Sequence, residues 1–263
     1  MNFNNKVIWI TGASSGIGEA LAIRLASEKC SLILSARRED DLWRVAQNCS
    51  SKIGEILVLP MDVRDQKSRE AAVEKIEARF GKLNLLIHAA GITQRSTAME
   101  TIESVDRQIM ETNYFGPILL TKMAWPLMKK TDAHIVVISS IAGKFGFYNR
   151  SAYSASKHAL HGFFEALRFE MKNKEFKVTL VCPGYIQTPI SLHALTGDGS
   201  IHGKMDVTQL KGLPVDLCAE KIIRAIQKNK KEVYIGKNEL ILWYLKRISP
   251  SLFYFLGNRL GPG

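Results

Sequence analysis

Tyr153 and Lys157 stand four residues apart in Tyr153-Ser154-Ala155-Ser156-Lys157. The stretch has helical spacing, so both side chains fall on one face. A phenol, with a pKa of about 10, is a poor acid or base at neutral pH. A neighbouring ammonium favours the phenolate and lowers that pKa. Thirteen residues before Tyr153, just past an apolar run, stands Ser140. Its hydroxyl is placed to hydrogen-bond a substrate oxygen as charge develops there. Asn113, in Thr112-Asn113-Tyr114, lies within a predicted helix, where Asn is disfavoured. It is either a functional position or a solvent-facing one. One Tyr-xxx-Lys is a common coincidence, and the signal lies in these residues occurring together.

A second group of residues suits a phosphate-bearing ligand. Thr11-Gly12-Ala13-Ser14-Ser15-Gly16-Ile17-Gly18 lies between a predicted strand and a predicted helix. Gly12 allows a tight turn with positive φ, Gly16 allows the backbone to approach a pyrophosphate, and Gly18 allows close packing of helix on strand. The pyrophosphate then rests on the positive end of the helix. The second strand ends Leu34-Ser35-Ala36 and is followed by Arg37-Arg38. No acid stands there to take a ribose 2′-hydroxyl, whereas guanidinium groups suit a 2′-phosphate. The expected dinucleotide is NADP(H) in preference to NAD(H). Asp62, in Met61-Asp62-Val63, follows the third strand. It suits either the adenine edge or the capping of the next turn.

These residues need a frame, and the chain supplies one by alternation. Short apolar runs at 6–11, 31–36, 55–60, 83–88, 134–139, 177–182 and 232–235 are expected to be strands. Helical spacing is expected at 16–28, 40–48, 66–80, 102–130, 152–173 and 215–228. Kinks are expected near Gly116-Pro117 and Pro126. Near-continuous apolar strands alternating with helices predict an α/β fold, a doubly wound parallel sheet of about seven strands with helices on both faces. Residues 188–213, rich in Gly, His and Ser, read as a flexible insertion that serves as a substrate loop. The main domain is expected to span 1–237, with an extension over 238–263.

Composition narrows the class. The chain has 263 residues, 46% hydrophobic and 23% charged, which excludes disordered, collagenous and low-complexity proteins. Four scattered cysteines with no CxxC pair exclude a disulfide scaffold and predict no metal site. No apolar run reaches the roughly 18 residues of a membrane span. The N-terminus carries no secretory signal pattern, so the expected compartment is the cytoplasm. Net charge is +11, and residues 211–263 hold 10 Lys/Arg against 4 Asp/Glu. No nucleic-acid motif accompanies that charge, and no nucleic-acid partner is expected.

Taken together, these motifs resemble the short-chain dehydrogenase/reductase family over about residues 5–236. They occur in the family's order: Thr11–Gly18, Asp62, Ala90-Gly91, Asn113, Ser140, Tyr153–Lys157, and Pro183-Gly184 with Thr188. The resemblance implies that Tyr153 is the general acid/base and that Lys157 lowers its pKa and binds the nicotinamide ribose. It implies that Ser140 polarises the carbonyl and that Asn113 anchors a water in a proton relay. Cofactor contacts are implied for Gly12, Ser14, Ser15, Gly16, Ile17, Gly18, Arg37, Arg38, Asp62, Val63, Ala90, Gly91, Asn113, Tyr153, Lys157, Pro183, Gly184, Ile186 and Thr188. Arg37 matches the position that marks NADP preference. The chain departs from the family's Asn-Asn-Ala-Gly, having His88-Ala89-Ala90-Gly91, with His88 expected to be an interior residue satisfied by the backbone.

The expected reaction interconverts a small-molecule ketone or aldehyde with an alcohol. Phe145, Phe147, Tyr148 and Tyr185 suggest an apolar pocket, and so an apolar or lipid-like substrate. The tail carries Leu240-Ile241-Leu242-Trp243-Tyr244-Leu245 and Leu252-Phe253-Tyr254-Phe255-Leu256, interrupted by Lys246, Arg247 and Arg259. Pro250 is expected to split it into two short helices. It reads as a peripheral membrane contact through 240–260, an oligomer interface, or a lid packed on its own fold. A homodimer or homotetramer is expected by family analogy. The rival reading is an NADP(H)-binding regulatory or membrane-surface scaffold protein in which catalysis is incidental.

Overall fold

The computed structural model describes residues 1–49, 54–171 and 176–260, with side chains as far as 256. The strands are β1 Val7–Thr11, β2 Ser31–Ser35, β3 Glu55–Val58, β4 Leu85–His88, β5 His134–Ile138, β6 Lys177–Pro183 and β7 Glu232–Ile235. The helices are α1 Gly16–Leu25, α2 Glu39–Gln47, α3 Gln66–Phe80, α4 Glu103–Met110, α5 Gly116–Met128, α6 Ser151–Glu170, α7 Val207–Leu210, α8 Val215–Gln227, α9 Leu240–Ile248 and α10 Pro250–Leu260. The strands form one parallel sheet in the order β3-β2-β1-β4-β5-β6-β7.

The burial of the sheet follows from alternation along each strand. Ile8 and Ile10 join Leu32, Leu34, Leu85 and Ile87 on the face covered by α1 and α8. Val7 and Trp9 join Ile33, Leu86, Ile135 and Val137 on the opposite face, under α5 and α6. Both faces of β1 are therefore dry, which is why the run reads as continuously apolar. Trp9 satisfies its one polar atom by donating Nε1–H to Ser35 Oγ at 2.8 Å.

Helix α3 has the span expected of it because its ends are marked in the sequence. Asp65 accepts from the Ser68 N–H at 2.7 Å, and Gly81 closes the helix at φ +64°. The helix expected over 102–130 is interrupted differently from expectation. Glu111–Phe115 forms a π-helical turn between α4 and α5. Pro117 sits in the first turn of α5, where its missing N–H costs nothing, and Pro126 lies inside the same helix. The end of the helix expected to reach 173 lies outside the described residues beyond 171.

Residues 188–213 are not the flexible insertion their composition suggests. Leu195 N–H donates to Thr93 O, Arg95 N–H to Leu195 O, and Leu213 N–H to Tyr185 O. Asp206 forms ion pairs with Arg95 and Arg150. The tail divides at Pro250 as expected. Its inner face packs on the body: Phe253 meets Phe145 at 5.3 Å between ring centroids, and Trp243 stacks on Tyr234 at 4.2 Å. Its outer face leaves Ile241, Tyr244, Ile248, Leu252, Tyr254 and Phe255 exposed.

His88 is buried, but a side chain rather than the backbone satisfies it. Its Nε2 pairs with Thr121 Oγ1 at 2.8 Å, and Nδ1 has no partner. His134 repeats this arrangement with Thr179 at 2.8 Å. Burial lowers His88 to about 3 and His134 to about 4. Both rings are neutral in the folded chain at pH 5, whereas the unfolded chain protonates them below about 6.5. Stability conferred by the neutral rings is thus complete above about pH 6.5 and is lost as the pH falls towards 4. The expected loss between pH 7 and pH 5 is about 2 kcal/mol per ring. Denaturant unfolding at the two pH values checks it, and His88→Gln should flatten the profile.

Candidate active site

The carboxyl ends of the strands converge on a cavity of about 470 Å³. Its floor is the turn after β1. Gly12 has φ +69°, and a Cβ there would lie 2.6 Å from Ala90 N. Gly16 has φ +59°, and a Cβ there would stand 3.2 Å from Thr188 Cγ2. A Cβ on Gly18 would lie 2.2 Å from Gly12 O, so that glycine serves packing and does not line the cavity. No side chain caps the N-terminus of α1. Its first N–H groups are therefore available to an anion, as a pyrophosphate requires. Arg44, which the sequence reading missed, holds the turn from outside. Its guanidinium donates to Ser14 O at 3.0 Å and Glu19 Oε1 at 2.6 Å.

Ser14, Ser15, Gly16 and Ile17 line this cavity, with Arg37, Arg38, Asp62, Val63, Ala90 and Gly91 along one side. Pro183, Gly184, Ile186 and Thr188 line it from the β6 side. The two arginines after β2 differ. Arg38 Nε donates to Asp41 Oδ2, so its charge is already matched at the start of α2. Arg37 is exposed and forms no ion pair among the described residues. Asp62 takes up the turn-capping role, one of the two expected of it, while lining the cavity. Arg64 clasps its carboxylate with Nη2 at 2.8 Å and Nε at 3.2 Å, and the Arg64 N–H donates to Oδ1 at 2.9 Å. Burial raises the Asp62 pKa, but the Arg64 hydrogen bonds outweigh it and hold the carboxyl below its usual range.

Tyr153, Ser140 and Lys157 line the inner end of the cavity. The Ser140 hydroxyl lies beside that of Tyr153 and favours its ionised form. Ser140 Oγ accepts the Ala142 N–H at 3.1 Å and donates to Pro183 O at 3.3 Å. Gln94 Oε1 accepts the Tyr153 N–H at 3.2 Å and so steadies the first turn of α6. Lys157 Nζ donates to Ile138 O at 2.8 Å and lies 5.7 Å from the Tyr153 ring centroid. Burial brings Lys157 down to about 8.

Two expectations change on this geometry. Burial pushes the Tyr153 pKa up, against the opposing pull of Ser140, Arg150 and Arg95. The ammonium sits against the ring and spends a hydrogen bond on the Ile138 carbonyl. Asn113 is wholly buried rather than solvent-facing, and it does not line the cavity. Its Oδ1 accepts the Ile92 N–H at 2.9 Å, and its Nδ2 donates to Ile92 O at 2.9 Å and Ser156 Oγ at 3.0 Å. It thereby ties the loop after β4 to α6.

A smaller cavity of about 50 Å³ opens beside Tyr153. Of the four aromatic residues expected around a pocket, Phe147 and Tyr185 line it. Phe145 is buried in the core under Phe253, and Tyr148 is exposed. The same wall carries Arg95, Arg150 and Gln209, none of which the sequence reading singled out. Position could have flagged Arg150, which lies three residues before Tyr153. Behind Ser140, His161, Cys182 and Glu232 also approach one another, within 4.8 Å. Lys144 Nζ already occupies Glu232 at 2.6 Å.

Comparison with known proteins agrees with this arrangement. The family model for short chain dehydrogenase matches residues 6–196. A dehydrogenase/reductase SDR family protein 7-like from Anopheles gambiae is 39% identical over 97% of this chain and 83% of its own. A dehydrogenase/reductase SDR family member 7B from Xenopus tropicalis is 40% identical over 95% of this chain and 84% of its own. Among solved structures, a short chain dehydrogenase/reductase from Burkholderia phymatum in complex with NAD superposes with a TM-score of 0.82. It covers 96% of both chains at 24% identity, a likeness of fold. An alcohol dehydrogenase from Thermococcus sibiricus complexed with 5-hydroxy-NADP superposes at 0.75, with 26% identity over 89% of this chain and 97% of its own. With the glycine turn, the Tyr153–Lys157 pair and Ser140 gathered at one cavity, the chain belongs to the short-chain dehydrogenase/reductase family, oxidoreductases that use a nicotinamide dinucleotide to interconvert CH–OH and C=O.

Proposed function

We propose that the chain is an NADP(H)-dependent oxidoreductase that interconverts a ketone or aldehyde with an alcohol on an apolar or lipid-like small molecule. The observation that carries this reading is the meeting of Ser140, Tyr153 and Lys157 at the inner end of the glycine-floored cavity. The bound dinucleotide supplies or accepts the hydride. Gly12, Gly16 and the N-terminus of α1 hold its pyrophosphate, and Arg37 meets the 2′-phosphate. Arg37 is chosen over Arg38 because Asp41 already neutralises Arg38. Lys157 holds the nicotinamide ribose, and Ile186 and Thr188 contact the carboxamide.

In the reducing direction, Ser140 donates a hydrogen bond to the carbonyl oxygen, and Tyr153 Oη gives that oxygen a proton as the carbon takes the hydride. In reverse, the Tyr153 phenolate takes the alcohol proton. Asn113 shapes the path by which Tyr153 regains its proton, through its hold on Ile92 and Ser156. Phe147, Tyr185, Ile141 and Ile190 give the substrate wall its apolar part.

The exposed row on α9 and α10, with Lys246 and Arg247 beside it, supports peripheral contact with an anionic membrane on the cytoplasmic side. Among the described residues no helix is long and apolar enough to cross a membrane. Self-association into a dimer or tetramer through α4, α5 and α6 completes the proposal, by analogy with the family.

Four outcomes are expected. In a fluorescence titration, NADPH binds more tightly than NADH, and Arg37→Ala weakens NADPH by about 10–100-fold, the scale of a charge-assisted contact, while sparing NADH. Binding of neither cofactor favours the scaffold alternative. Tyr153→Phe lowers kcat by about 10³-fold with NADPH affinity retained. In the wild type, alcohol oxidation climbs with pH from 7 to 9 because it needs the phenolate of a group held above its ordinary pKa, whereas carbonyl reduction stays level. A plateau in oxidation already at pH 7 contradicts that assignment. Finally, the protein co-sediments with phosphatidylserine vesicles, and Ile248→Glu with Leu252→Glu releases it; equal partition of both forms ends the membrane reading.

A further inference from the structure

The small cavity beside Tyr153 carries more positive charge than the protein neutralises. Arg95 lies on the loop after β4, and Arg150 lies at the start of α6. Their side chains are 10% and 18% exposed. They share one carboxylate. Arg95 Nη2 lies 2.6 Å from Asp206 Oδ2, with Nε at 3.0 Å, and Arg150 Nη2 lies 2.9 Å from the same oxygen. Arg95 is fully engaged, since its Nη1 also donates to Gln94 O at 2.6 Å and Thr93 Oγ1 at 3.1 Å. The Arg150 guanidinium makes no other hydrogen bond among the described residues. Its guanidinium lies 5.8 Å from the Phe147 ring centroid, on the cavity wall. Two guanidinium groups against one carboxylate leave one unit of positive charge in a largely dry place.

A buried charge without a partner is costly, and the remedy is an opposite charge or water. The groups that face Arg150 are Arg95, Asp206 and the Tyr153 and Tyr185 phenols, and Asp206 is the one carboxylate among them. Burial and the Arg95 charge both hold the Arg150 pKa below its ordinary value, as expected where an anion is missing. A second group is also left over. Gln209 is buried, lines the same wall, and its Oε1 has no hydrogen-bond partner. That acceptor is sealed from solvent, so what the cavity offers a ligand is the part of the Arg150 guanidinium that Asp206 leaves unbonded, on the wall shared with Ser140 and Tyr153.

We infer that Arg150, set by the Arg95–Asp206 pair, is the anchor for an anionic group of the substrate, a carboxylate or a phosphate. The substrate is then a carbonyl compound bearing an anion close to the reacting carbon. The inference rests on the oxidoreductase reading for the identity of this cavity as the substrate site. It adds a specificity residue that the apolar lining alone does not predict. It also bears on direction. Arg95 and Arg150 both pull the Tyr153 pKa down. An anion on Arg150 cancels part of that pull and keeps Tyr153 protonated, the state that carbonyl reduction requires.

The test uses inert probes, so that it does not depend on turnover. Hexanoate is titrated against hexanamide, and hexyl phosphate against hexanol, by calorimetry on the full chain saturated with NADPH. At least one anion is expected to bind 10-fold or more tightly than its neutral partner, and the two pairs distinguish carboxylate from phosphate. Arg150→Met leaves Asp206 paired with Arg95 and removes the excess charge; the preference should disappear. Arg150→Lys should retain part of it, which guards against a folding defect in the methionine variant. Equal binding of charged and neutral probes to the wild type overturns the inference, as does an anion preference that survives Arg150→Met. Failure of the oxidoreductase reading looks different. It appears as no NADPH oxidation with any carbonyl, charged or neutral, whatever the calorimetry gives.

Discussion

Strand β1 has a strand on either side and a dry face above and below, so the turn at its carboxyl end is held from every direction. The chain must leave that strand, clear the Ala89-Ala90 backbone beside it, and start α1 within a few residues. Gly12 and Gly18 make this possible. Their missing Cβ atoms are the space into which Ala90 and the Gly12 carbonyl fit. The sheet reverses its winding at the same place, between β1 and β4, and there the connections diverge and open a crevice. The nucleotide cavity follows from this close approach, and the positions of the loops after β4, β5 and β6 follow from the cavity.

Much of this was legible because the signals are local. Buried parallel strands read as apolar runs, and all seven appear near their expected positions. Helix α3 could be bounded to the residue because Asp65 and Gly81 mark its ends. The glycine turn, Tyr153, Lys157 and Ser140 could be picked out because type and spacing suffice for each. What stayed hidden depends on contacts between distant segments. Asp206 meets Arg95 across 111 positions and Arg150 across 56, and nothing local announces either pairing. For the same reason residues 188–213 read as loose, although two ion pairs and several backbone bridges fasten them. The role of Asn113 was hidden too, because its partners on Ile92 and Ser156 lie 21 and 43 positions away.

The site divides its electrostatics between two ends. At the nucleotide end, Arg64 neutralises Asp62 and Asp41 neutralises Arg38, while Arg37 at the rim forms no ion pair among the described residues. At the small cavity beside Tyr153, one carboxylate, Asp206, pairs with two arginines, Arg95 and Arg150. Between them, Ser140 and Tyr153 stand side by side in surroundings dry enough to hold the phenol in its neutral form. The tail is part of this second end. Phe253 and its neighbours back the 141–147 segment that forms one wall of the small cavity, and Glu239 Oε1 accepts the Tyr185 N–H at 2.9 Å. The inner face of the tail therefore backs residues that line the small cavity beside Tyr153.

The wide turn at Glu111–Phe115 has a consequence for helical phase. The Gly116 N–H reaches back five residues to Glu111 O, one residue further than in an ordinary helix. That extra residue advances everything downstream by about 100° around the axis relative to an uninterrupted helix. Val105 and Ile109 before the turn, and Leu120, Ala124 and Leu127 after it, are all buried. The turn lets both segments keep their apolar sides inward while Asn113, at its centre, faces the loop after β4. A one-residue deletion within 111–115 would restore ordinary winding and rotate either Asn113 or the α5 stripe out of place. At this turn chain length is as constrained as sequence: relatives should vary in residue type here more readily than in number.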